Sequence, residues 1–282
     1  MLGAIIGDVV GSVYEFNNIK TTDFPLFSKD STFTDDSLMS IAVAMWLLDT
    51  DHSSAELERI ILDVANRYPN PMGGYGSSFY KWLFHPEDLY EYRDRQHLHD
   101  FKAGTRHPYN SYSNGAAMRA SACGWYAQSV EDALSWGQRS AEITHNHPEG
   151  IKGAQAVAVA IYMARHGATK QEITQYIERQ FGYDLHRTCD EIRPYYRYEY
   201  SCMESVPQAI VAFLDSTDFE SAVRLSVSLG GDSDTLACIT GGIAEAFYGN
   251  IPKPIEEHVI QLLPEEYRKV VRRIQVLPLS QT

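Results

Sequence analysis

The stretch STFTDDSLMSIAVAMWLL (31–48) joins an acidic turn to a long apolar segment. After Asp36 the segment carries no charged residue, so apolar side chains cover nearly the whole circumference of a helix. A helix that is apolar all round is buried inside a protein. Two later segments have the same character, and we therefore expect central helices at 36–49, 152–166 and 235–248.

Other segments show the amphipathic period of helices at a protein surface. In AELERIILDVANRY (55–68) the apolar residues recur at spacings of three and four and share one face. Three helix starts carry the capping-box pattern, a hydroxyl residue followed three positions later by Glu or Gln. These predicted boxes are Thr169 with Glu172, Ser205 with Gln208, and Thr217 with Glu220. Gly167 and Gly182 are predicted to end helices.

Glycines recur at every fourth position near the N-terminus, at Gly3, Gly7 and Gly11. This spacing suits a helix that packs closely on a neighbour. It differs from the Gly-x-Gly-x-x-Gly phosphate loop, which also needs a preceding strand. We interpret these glycines as packing residues.

No segment shows the alternating pattern of a strand, and no regular βαβ rhythm appears. We therefore predict an all-α fold that forms a single domain over residues 1–282. Segments 69–114 and 184–204 lack a helical pattern and are expected to be loops. The first is rich in Gly, Tyr, Asn and Ser, which favours a functional loop.

The composition excludes several classes of protein. The 282 residues carry a formal net charge of −13, which argues against a general nucleic-acid binder. The apolar N-terminal segment MLGAIIGDVVGSVYEF lacks a basic start and contains Asp8 and Glu15, so we expect neither a signal peptide nor a membrane span. The cysteines at 123, 189, 202 and 238 form no Cys-x-x-Cys pair, which favours buried free thiols in the cytoplasm.

Two acidic clusters each precede an apolar helix. The first is Thr34, Asp35 and Asp36, and the second is Asp232, Asp234 and Thr235. Helix N-termini favour a carboxylate cap, and acidic caps alone are one explanation of both clusters. Each cluster, however, holds more acids than a cap can use. Carboxylates and hydroxyls are the ligands of hard cations, and four aspartates would balance two divalent ions. The second cluster lacks the closing Glu of an EF-hand.

Several other polar residues stand in patterns that do not by themselves indicate a function. A lone loop glutamate such as Glu15 is usually a surface residue, and His145 with His147 would more often cap a loop than catalyse. The histidines at 97, 99 and 107, near Asp94 and Asp100, could hold a transition metal, but we favour simple exposure. The tyrosines at 195, 196, 198 and 200 could stack on adenine, although packing or exposure is favoured.

Taken together, these segments resemble the ADP-ribosylglycohydrolase family. The resemblance runs nearly from end to end and rests on GAIIGDVVGSVYEF, FTDDS, YSNGAAMR (112–119), THNHP (144–148) and GGDSDT. Ser113 stands where some members have glycine, and the insert 85–107 aligns with no family motif. The resemblance implies a compact orthogonal helical domain with two divalent ions, Mg²⁺ or alternatively Mn²⁺, at the floor of a cleft.

The resemblance also implies roles for individual residues. The implied metal ligands are Thr34, Asp35, Asp36, Asp232, Asp234 and Thr235. The implied ADP-ribose contacts are Gly74, Tyr75, Gly76, Ser77, Ser111, Tyr112, Ser113, Asn114, Gly115, Met118 and His145. Glu15 would lie on a mobile loop over the distal ribose and act as acid, base or clamp. Asp36 would position or deprotonate the attacking water. Asp8 would support the metal ligands from behind or act as a packing residue.

The implied reaction cleaves the glycosidic bond between ADP-ribose and an acceptor, with arginine favoured over serine, a nucleobase or O-acetyl-ADP-ribose. The two ions would lie roughly 3.5–4 Å apart. The substrate partner would be an ADP-ribosylated protein or small molecule, with no general nucleic-acid or membrane partner. Two alternatives are a module that binds ADP-ribose without turnover and a hydrolase of the phosphoanhydride bond.

Overall fold

The chain folds almost entirely into α-helices, and the computed structural model describes residues 1–93 and 106–279. The helices of these residues are α1 (Leu2–Gly11), α2 (Asp35–Leu47), α3 (Ser54–Arg67), α4 (Ser77–Phe84), α5 (Pro86–Arg93), α6 (Gly115–Met118), α7 (Ser121–Tyr126), α8 (Val130–Glu142), α9 (Pro148–Arg165), α10 (Lys170–Phe181), α11 (Cys189–Ile192), α12 (Cys202–Asp215), α13 (Phe219–Ser228), α14 (Ser233–Tyr248), α15 (Lys253–Leu262) and α16 (Glu265–Gln275). Within the described ranges no strand forms, which confirms the all-α prediction.

The three apolar segments form the central helices α2, α9 and α14, as predicted. Nearly every residue of α2 and α14 is buried, and α1 is buried along its whole length. Helix α1 packs most extensively on α14, which also contacts α9, α12 and α13. The centre is therefore a group of apolar helices surrounded by amphipathic ones such as α3 and α16.

The glycines of α1 bring it very close to α14. A Cβ atom at Gly7 would lie 1.8 Å from the carbonyl oxygen of Ala237, and one at Gly3 would lie 2.3 Å from that of Gly241. Gly11 faces Asp234 in the same way, at 2.5 Å from its Cα. The packing interpretation of these glycines is confirmed, and their small size places the end of α1 beside the start of α14.

The predicted helix caps are correct in part. Thr169 and Glu172 form the capping box, and Gly182 ends α10 with a φ of 70°. The prediction at Ser205 is wrong, because the buried face of α12 extends one turn further and the helix begins at Cys202. The prediction at Thr217 is also wrong. Asp218 caps α13 instead, and aspartate is the stronger capping residue of the two.

The two predicted loops contain helices that the composition did not reveal. Segment 69–114 includes α4 and α5, and segment 184–204 includes α11 and the start of α12, so a wholly irregular reading is wrong. Helix α4 forms because Phe79, Trp82 and Leu83 share one buried face despite the flanking glycines. Residues 94–105 lie outside the described ranges, and with them most of the insert 85–107 and the acids and histidines at 94, 97, 99 and 100.

Two isolated β-bridges fix the remaining loops beside the core. One joins Thr34 to Met72, and the other joins Ser113 to Ser201. They hold the loops before α4 and α6 next to the N-termini of α2 and α12. None of the helices in the described ranges is both long and apolar enough to cross a bilayer.

Candidate functional site

The two acidic clusters meet at the centre of the molecule, although they are about two hundred positions apart in sequence. Because α14 packs on α1 and α2, the N-termini of α2 and α14 lie beside the C-terminal half of α1. Carboxylate oxygens of Asp8, Asp36 and Asp234 lie within 4.8 Å of one another, and so do those of Glu15, Asp232 and Asp234. Asp234 therefore belongs to both groups.

Asp8 supports the first acidic turn. Its Oδ1 accepts a hydrogen bond from the Thr34 hydroxyl at 2.7 Å, and its Oδ2 accepts from the backbone amides of Thr34 and Ser37 at 2.9 and 3.1 Å. The Ser37 hydroxyl also donates to Oδ2. Asp8 is thus a buried carboxylate with most of its acceptor capacity used, which fits the supporting role expected of it.

Asp36 presents an oxygen that no group in residues 1–93 and 106–279 satisfies. Its Oδ2 lies 3.3 Å from the Thr235 hydroxyl, which donates to it, but its Oδ1 is buried and has no hydrogen-bond partner. Leaving a charged oxygen unpartnered in the interior is costly. A cation among Asp8, Asp36 and Asp234 would supply the missing interaction, and an all-oxygen donor set suits Mg²⁺ or Mn²⁺.

The other predicted ligands differ in position. Asp232 is buried, and its Oδ2 accepts a hydrogen bond from Asn114 Nδ2 at 2.8 Å. Asp35 is half-buried and lines the cleft above the cluster. Thr34 is fully buried beneath the cleft, where its hydroxyl donates to Asp8 and accepts from the Asp36 amide. Thr34 therefore holds the turn together and does not line the cleft.

Uncompensated negative charge dominates the electrostatics of this cluster. Burial, reinforced by Asp8 and other neighbouring carboxylates, raises the pKa of Asp36 well above its usual range, and burial followed by the Asp232 charge does the same for Asp234. Burial raises the pKa of Asp8 to about 6. Among the described residues no Lys or Arg side chain pairs with any of them. The site is therefore built for a positive charge that the chain does not provide.

A cleft of about 480 Å³ lies above the cluster. All of the residues predicted to contact ADP-ribose line it, together with Glu15 and the predicted metal ligands other than Thr34. The resemblance also implies that segments 73–78 and 110–115 line the ADP-ribose, and Gly73, Ser78 and Asn110 of these segments line the cleft. Arg119 of the YSNGAAMR motif lines it too, as do Tyr198 and Tyr200, for which stacking on adenine was one reading. Phe16, Phe79 and Tyr109 are lining residues that the sequence did not single out. A cleft of this volume is in the range of small-molecule sites.

Glu15 lies just after α1 and lines the cleft beside Asp232 and Asp234. Its Oε1 accepts a hydrogen bond from the Tyr198 hydroxyl at 3.2 Å, and a Cβ atom at Gly73 would lie 2.6 Å from its Oε2. Asn18 ties this segment to the second acidic turn by donating to the Glu15 carbonyl at 2.8 Å and bonding both backbone groups of Gly231. Burial and then the Asp232 charge raise the pKa of Glu15 to about 7.

The tyrosine run occupies several environments. Tyr196 is buried, Tyr195 is 76% exposed, and Tyr198 and Tyr200 line the cleft. The Tyr198 ring also stacks on Phe16, with ring centroids 6.4 Å apart. From the sequence we favour packing or solvent exposure for these tyrosines, and Tyr196 is packed while Tyr195 is exposed. The sequence did not predict the hydrogen bond between Tyr198 and Glu15. That contact joins residues 183 positions apart, and no local pattern signals it.

His145 lies at the far side of the cleft, in a chain of buried hydrogen bonds. Its Nε2 is 2.9 Å from the Ser113 hydroxyl, and its Nδ1 is 2.7 Å from the Thr144 hydroxyl, which also accepts from Arg119. Burial, followed by the charge of Arg119, lowers the pKa of His145 well below its usual value. Arg119 ends the YSNGAAMR motif, but no role of its own is predicted for it from the sequence, although it is the only charge in a run of small residues.

The matches to known proteins agree with this geometry. A family model described as ADP-ribosylglycohydrolase matches residues 1–279. ADP-ribosylhydrolase ARH3 of Mus musculus is 28% identical to this chain, over 88% of the chain and 82% of the relative. ADP-ribosylarginine hydrolase Tri1 of Pseudomonas putida (strain GB-1) is 22% identical, over 91% of the chain and 71% of the relative.

One solved structure covers almost the whole chain. The "ADP-ribosylglycohydrolase-related protein complex" superposes with a TM-score of 0.66 and 23% identity, over 99% of this chain and 97% of that one. At this identity the likeness shows a common fold.

Proposed function

This chain belongs to the ADP-ribosylglycohydrolase family, and from that premise we propose that it is a magnesium-dependent enzyme that removes ADP-ribose from an arginine side chain. Membership supports the glycohydrolase class, whereas the metal and the acceptor are our proposal. The observation that carries it is the buried, unpartnered Oδ1 of Asp36, which lies among other carboxylates at the floor of a nucleotide-sized cleft.

Different residues of the chain would have different roles in the reaction. Asp36, Asp234 and Asp232 would hold the cations, while Asp8 and Asn114 fix the carboxylates of the two acidic turns by hydrogen bonds. Divalent ions at this site would neutralise the carboxylates, orient the ribose hydroxyls and make a water more nucleophilic. In this proposal Asp36 would orient the attacking water or accept its proton.

Glu15 would act at the opposite end of the scissile bond. It lines the cleft next to Tyr198, whose exposed side chain donates a hydrogen bond to one of its oxygens. From this position the carboxyl group can exchange a proton with the leaving group or clamp the substrate. Glycosidic bonds are normally broken with two carboxyl groups on either side of the sugar, and Glu15 and Asp36 supply such a pair.

The part of the cleft around Glu15 supports arginine as the acceptor. It combines the Glu15 carboxylate with the exposed rings of Phe16, Tyr198 and Tyr200. A guanidinium group pairs with carboxylates and stacks on aromatic faces, so this environment matches it well. One relative is named an ADP-ribosylarginine hydrolase, which agrees with this choice. The free buried cysteines agree with a cytoplasmic location, which we also propose.

The direct test is hydrolysis of an ADP-ribosylated arginine peptide with and without Mg²⁺. We expect free ADP-ribose and unmodified peptide only when Mg²⁺ is present, as measured by mass spectrometry. If ADP-ribose is released only from a serine-linked peptide, the acceptor is serine and not arginine. Binding without product would indicate a binding module, and release of AMP would indicate phosphoanhydride hydrolysis.

A variant of the second acidic turn tests the role of the metal. Asp232→Ala should abolish turnover and weaken Mg²⁺ binding while the far-ultraviolet circular dichroism remains helical. Asp30→Ala, at an exposed position, is the control and should keep full turnover. Full activity in Asp232→Ala would exclude the proposed site.

A further inference from the structure

Arg119 is a buried cation without an acidic partner. It is fully buried, and its Nη2 donates to the Ser140 carbonyl and to the Thr144 hydroxyl, each at 2.7 Å. Among the described residues no carboxylate lies within ion-pair distance of it. A guanidinium group can only donate hydrogen bonds, so the Thr144 oxygen must be the acceptor in this contact.

Thr144 must then place its own proton elsewhere. Two acceptors are near its hydroxyl, Nδ1 of His145 at 2.7 Å and the Ala141 carbonyl at 3.4 Å. Hydroxyl hydrogen bonds are usually 2.5–3.0 Å long, so the proton points to Nδ1. Nδ1 of His145 is therefore an acceptor and carries no hydrogen.

A neutral imidazole with a bare Nδ1 carries its hydrogen on Nε2. Burial and the nearby positive charge of Arg119 keep the ring neutral. The Nε2–H group of His145 therefore donates to the Ser113 hydroxyl at 2.9 Å. Ser113 Oγ accepts this bond and retains its own proton.

The tautomer decides what the cleft presents to a ligand. The hydroxyls of Ser111 and Ser113 are 3.0 Å apart, and one must donate to the other. With Nε2–H as a donor, this internal bond uses one of the two hydroxyl protons and leaves the second free to face the cleft. With the opposite tautomer, Ser113 would donate to Nε2 and Ser111 to Ser113, so both protons would be used.

We propose that Arg119 and Thr144 are positioning residues that hold His145 in the Nε2–H tautomer and thereby make the Ser111–Ser113 pair a hydrogen-bond donor for a phosphate group. This inference rests on the proposed function in taking that phosphate from the diphosphate of ADP-ribose. Phosphate oxygens only accept hydrogen bonds at neutral pH, so a pair offering only lone pairs would repel them.

The first test reads the tautomer of the ligand-free protein. With ¹⁵N-labelled histidine, long-range ¹H–¹⁵N spectra distinguish a protonated ring nitrogen from a bare one. We expect His145 to show a protonated Nε2 and an unprotonated Nδ1. Signals of the Nδ1–H tautomer would overturn the proposal, whether or not the protein hydrolyses anything.

The second test measures the affinity for ADP-ribose by calorimetry. Thr144→Val keeps the side-chain shape but removes the hydroxyl that fixes the tautomer. We expect about tenfold weaker binding, the size of one lost hydrogen bond to a charged group. The control is Thr240→Val, because Thr240 is equally buried and donates to the Ala209 carbonyl at 2.8 Å, away from the cleft.

The outcomes separate this inference from the proposed function. Weaker ADP-ribose binding in Thr144→Val alone supports the inference, even if the wild-type protein releases no ADP-ribose from any peptide. Equal affinity in Thr144→Val and wild type would overturn it, even if the enzyme is active. Equal weakening in both variants would also overturn it, because the effect would then follow from lost stability. A wild-type protein that does not bind ADP-ribose would overturn it as well.

Discussion

At the scale of single residues, the hydrogen bond from Tyr198 to Glu15 makes a specific kinetic prediction. Tyr198→Phe removes the hydroxyl and keeps the ring that stacks on Phe16. If the hydroxyl orients Glu15 for catalysis, kcat should fall about tenfold while KM stays within about twofold, as expected for one lost hydrogen bond. Steady-state hydrolysis of the ADP-ribosylated peptide measures both constants.

Two further variants show whether Tyr198 acts through Glu15. Tyr195→Phe, at a largely exposed ring outside the cleft, should leave both constants unchanged. Glu15→Gln should lower turnover more than ADP-ribose affinity, and adding Tyr198→Phe to it should cause no further loss. Fully additive effects would show that the two side chains act independently.

His145 makes a prediction about stability and pH. Its pKa is well below the usual value of about 6.5 in the folded protein, so the unfolded chain binds a proton more readily. Stability is therefore lost as pH falls below about 6.5, and this residue should contribute about 1 kcal/mol of loss between about pH 7 and about pH 5.5. Urea unfolding at the two pH values measures that difference.

The variant His145→Gln should reduce the acid-dependent loss by that amount, although it lowers stability at both pH values. His186→Gln is the comparison, because the His186 side chain is 80% exposed. An unchanged pH dependence in His145→Gln would mean that the buried ring does not resist protonation.

At the scale of elements, the contact between α1 and α14 positions the whole acidic cluster. Gly7→Ala would push its Cβ to 1.8 Å from the Ala237 carbonyl oxygen, so the two helices must separate. Overpacking typically costs about 1–3 kcal/mol, and here the shift also moves Asp8 away from Asp234. We expect a lower melting temperature together with weaker Mg²⁺ binding, measured by thermal unfolding and calorimetry.

Gly137→Ala offers a matched substitution between α8 and α9. Its Cβ would meet its nearest neighbour at 3.0 Å, which a small adjustment can relieve. The variant should lose less stability and keep its Mg²⁺ affinity. If Gly7→Ala binds Mg²⁺ as tightly as Gly137→Ala, the helix contact does not control the site.

At the scale of the whole molecule, the central charge cluster links folding to metal binding. Without a cation the buried carboxylates repel one another, and Asp36→Asn should raise the melting temperature measured in chelator. Wild type should gain stability with Mg²⁺, by about 2.7 kcal/mol at one hundred times the dissociation constant. The variant should gain much less, because it lacks the unpartnered carboxylate.

Asp30→Asn serves as the control, because Asp30 is exposed and neither lines the cleft nor belongs to the acidic cluster. It should leave both the metal-free stability and the Mg²⁺ response unchanged. A wild-type protein whose melting temperature does not respond to Mg²⁺ would contradict a metal site at the core.

The sequence by itself determined the helical class, the central helices, one capping box and most of the residues that line the cleft. The helices and the cap have local causes, since apolar periodicity and capping act within a few residues of one another. The cleft residues were predicted from the motifs that resemble the ADP-ribosylglycohydrolase family. Local composition gave the wrong prediction for α4, because packing decides there and the buried face of the helix forms among glycines and tyrosines.

Only the tertiary structure decided how these residues act together. It placed Asp8 beside Asp36 and Asp234, brought Tyr198 to Glu15, and linked Arg119 to the serine pair through Thr144 and His145. The physical reason is that these contacts depend on the directions in which helices pack. The hydrogen bond between Glu15 and Tyr198 joins two irregular segments 183 positions apart, so no helical period in the sequence signals it.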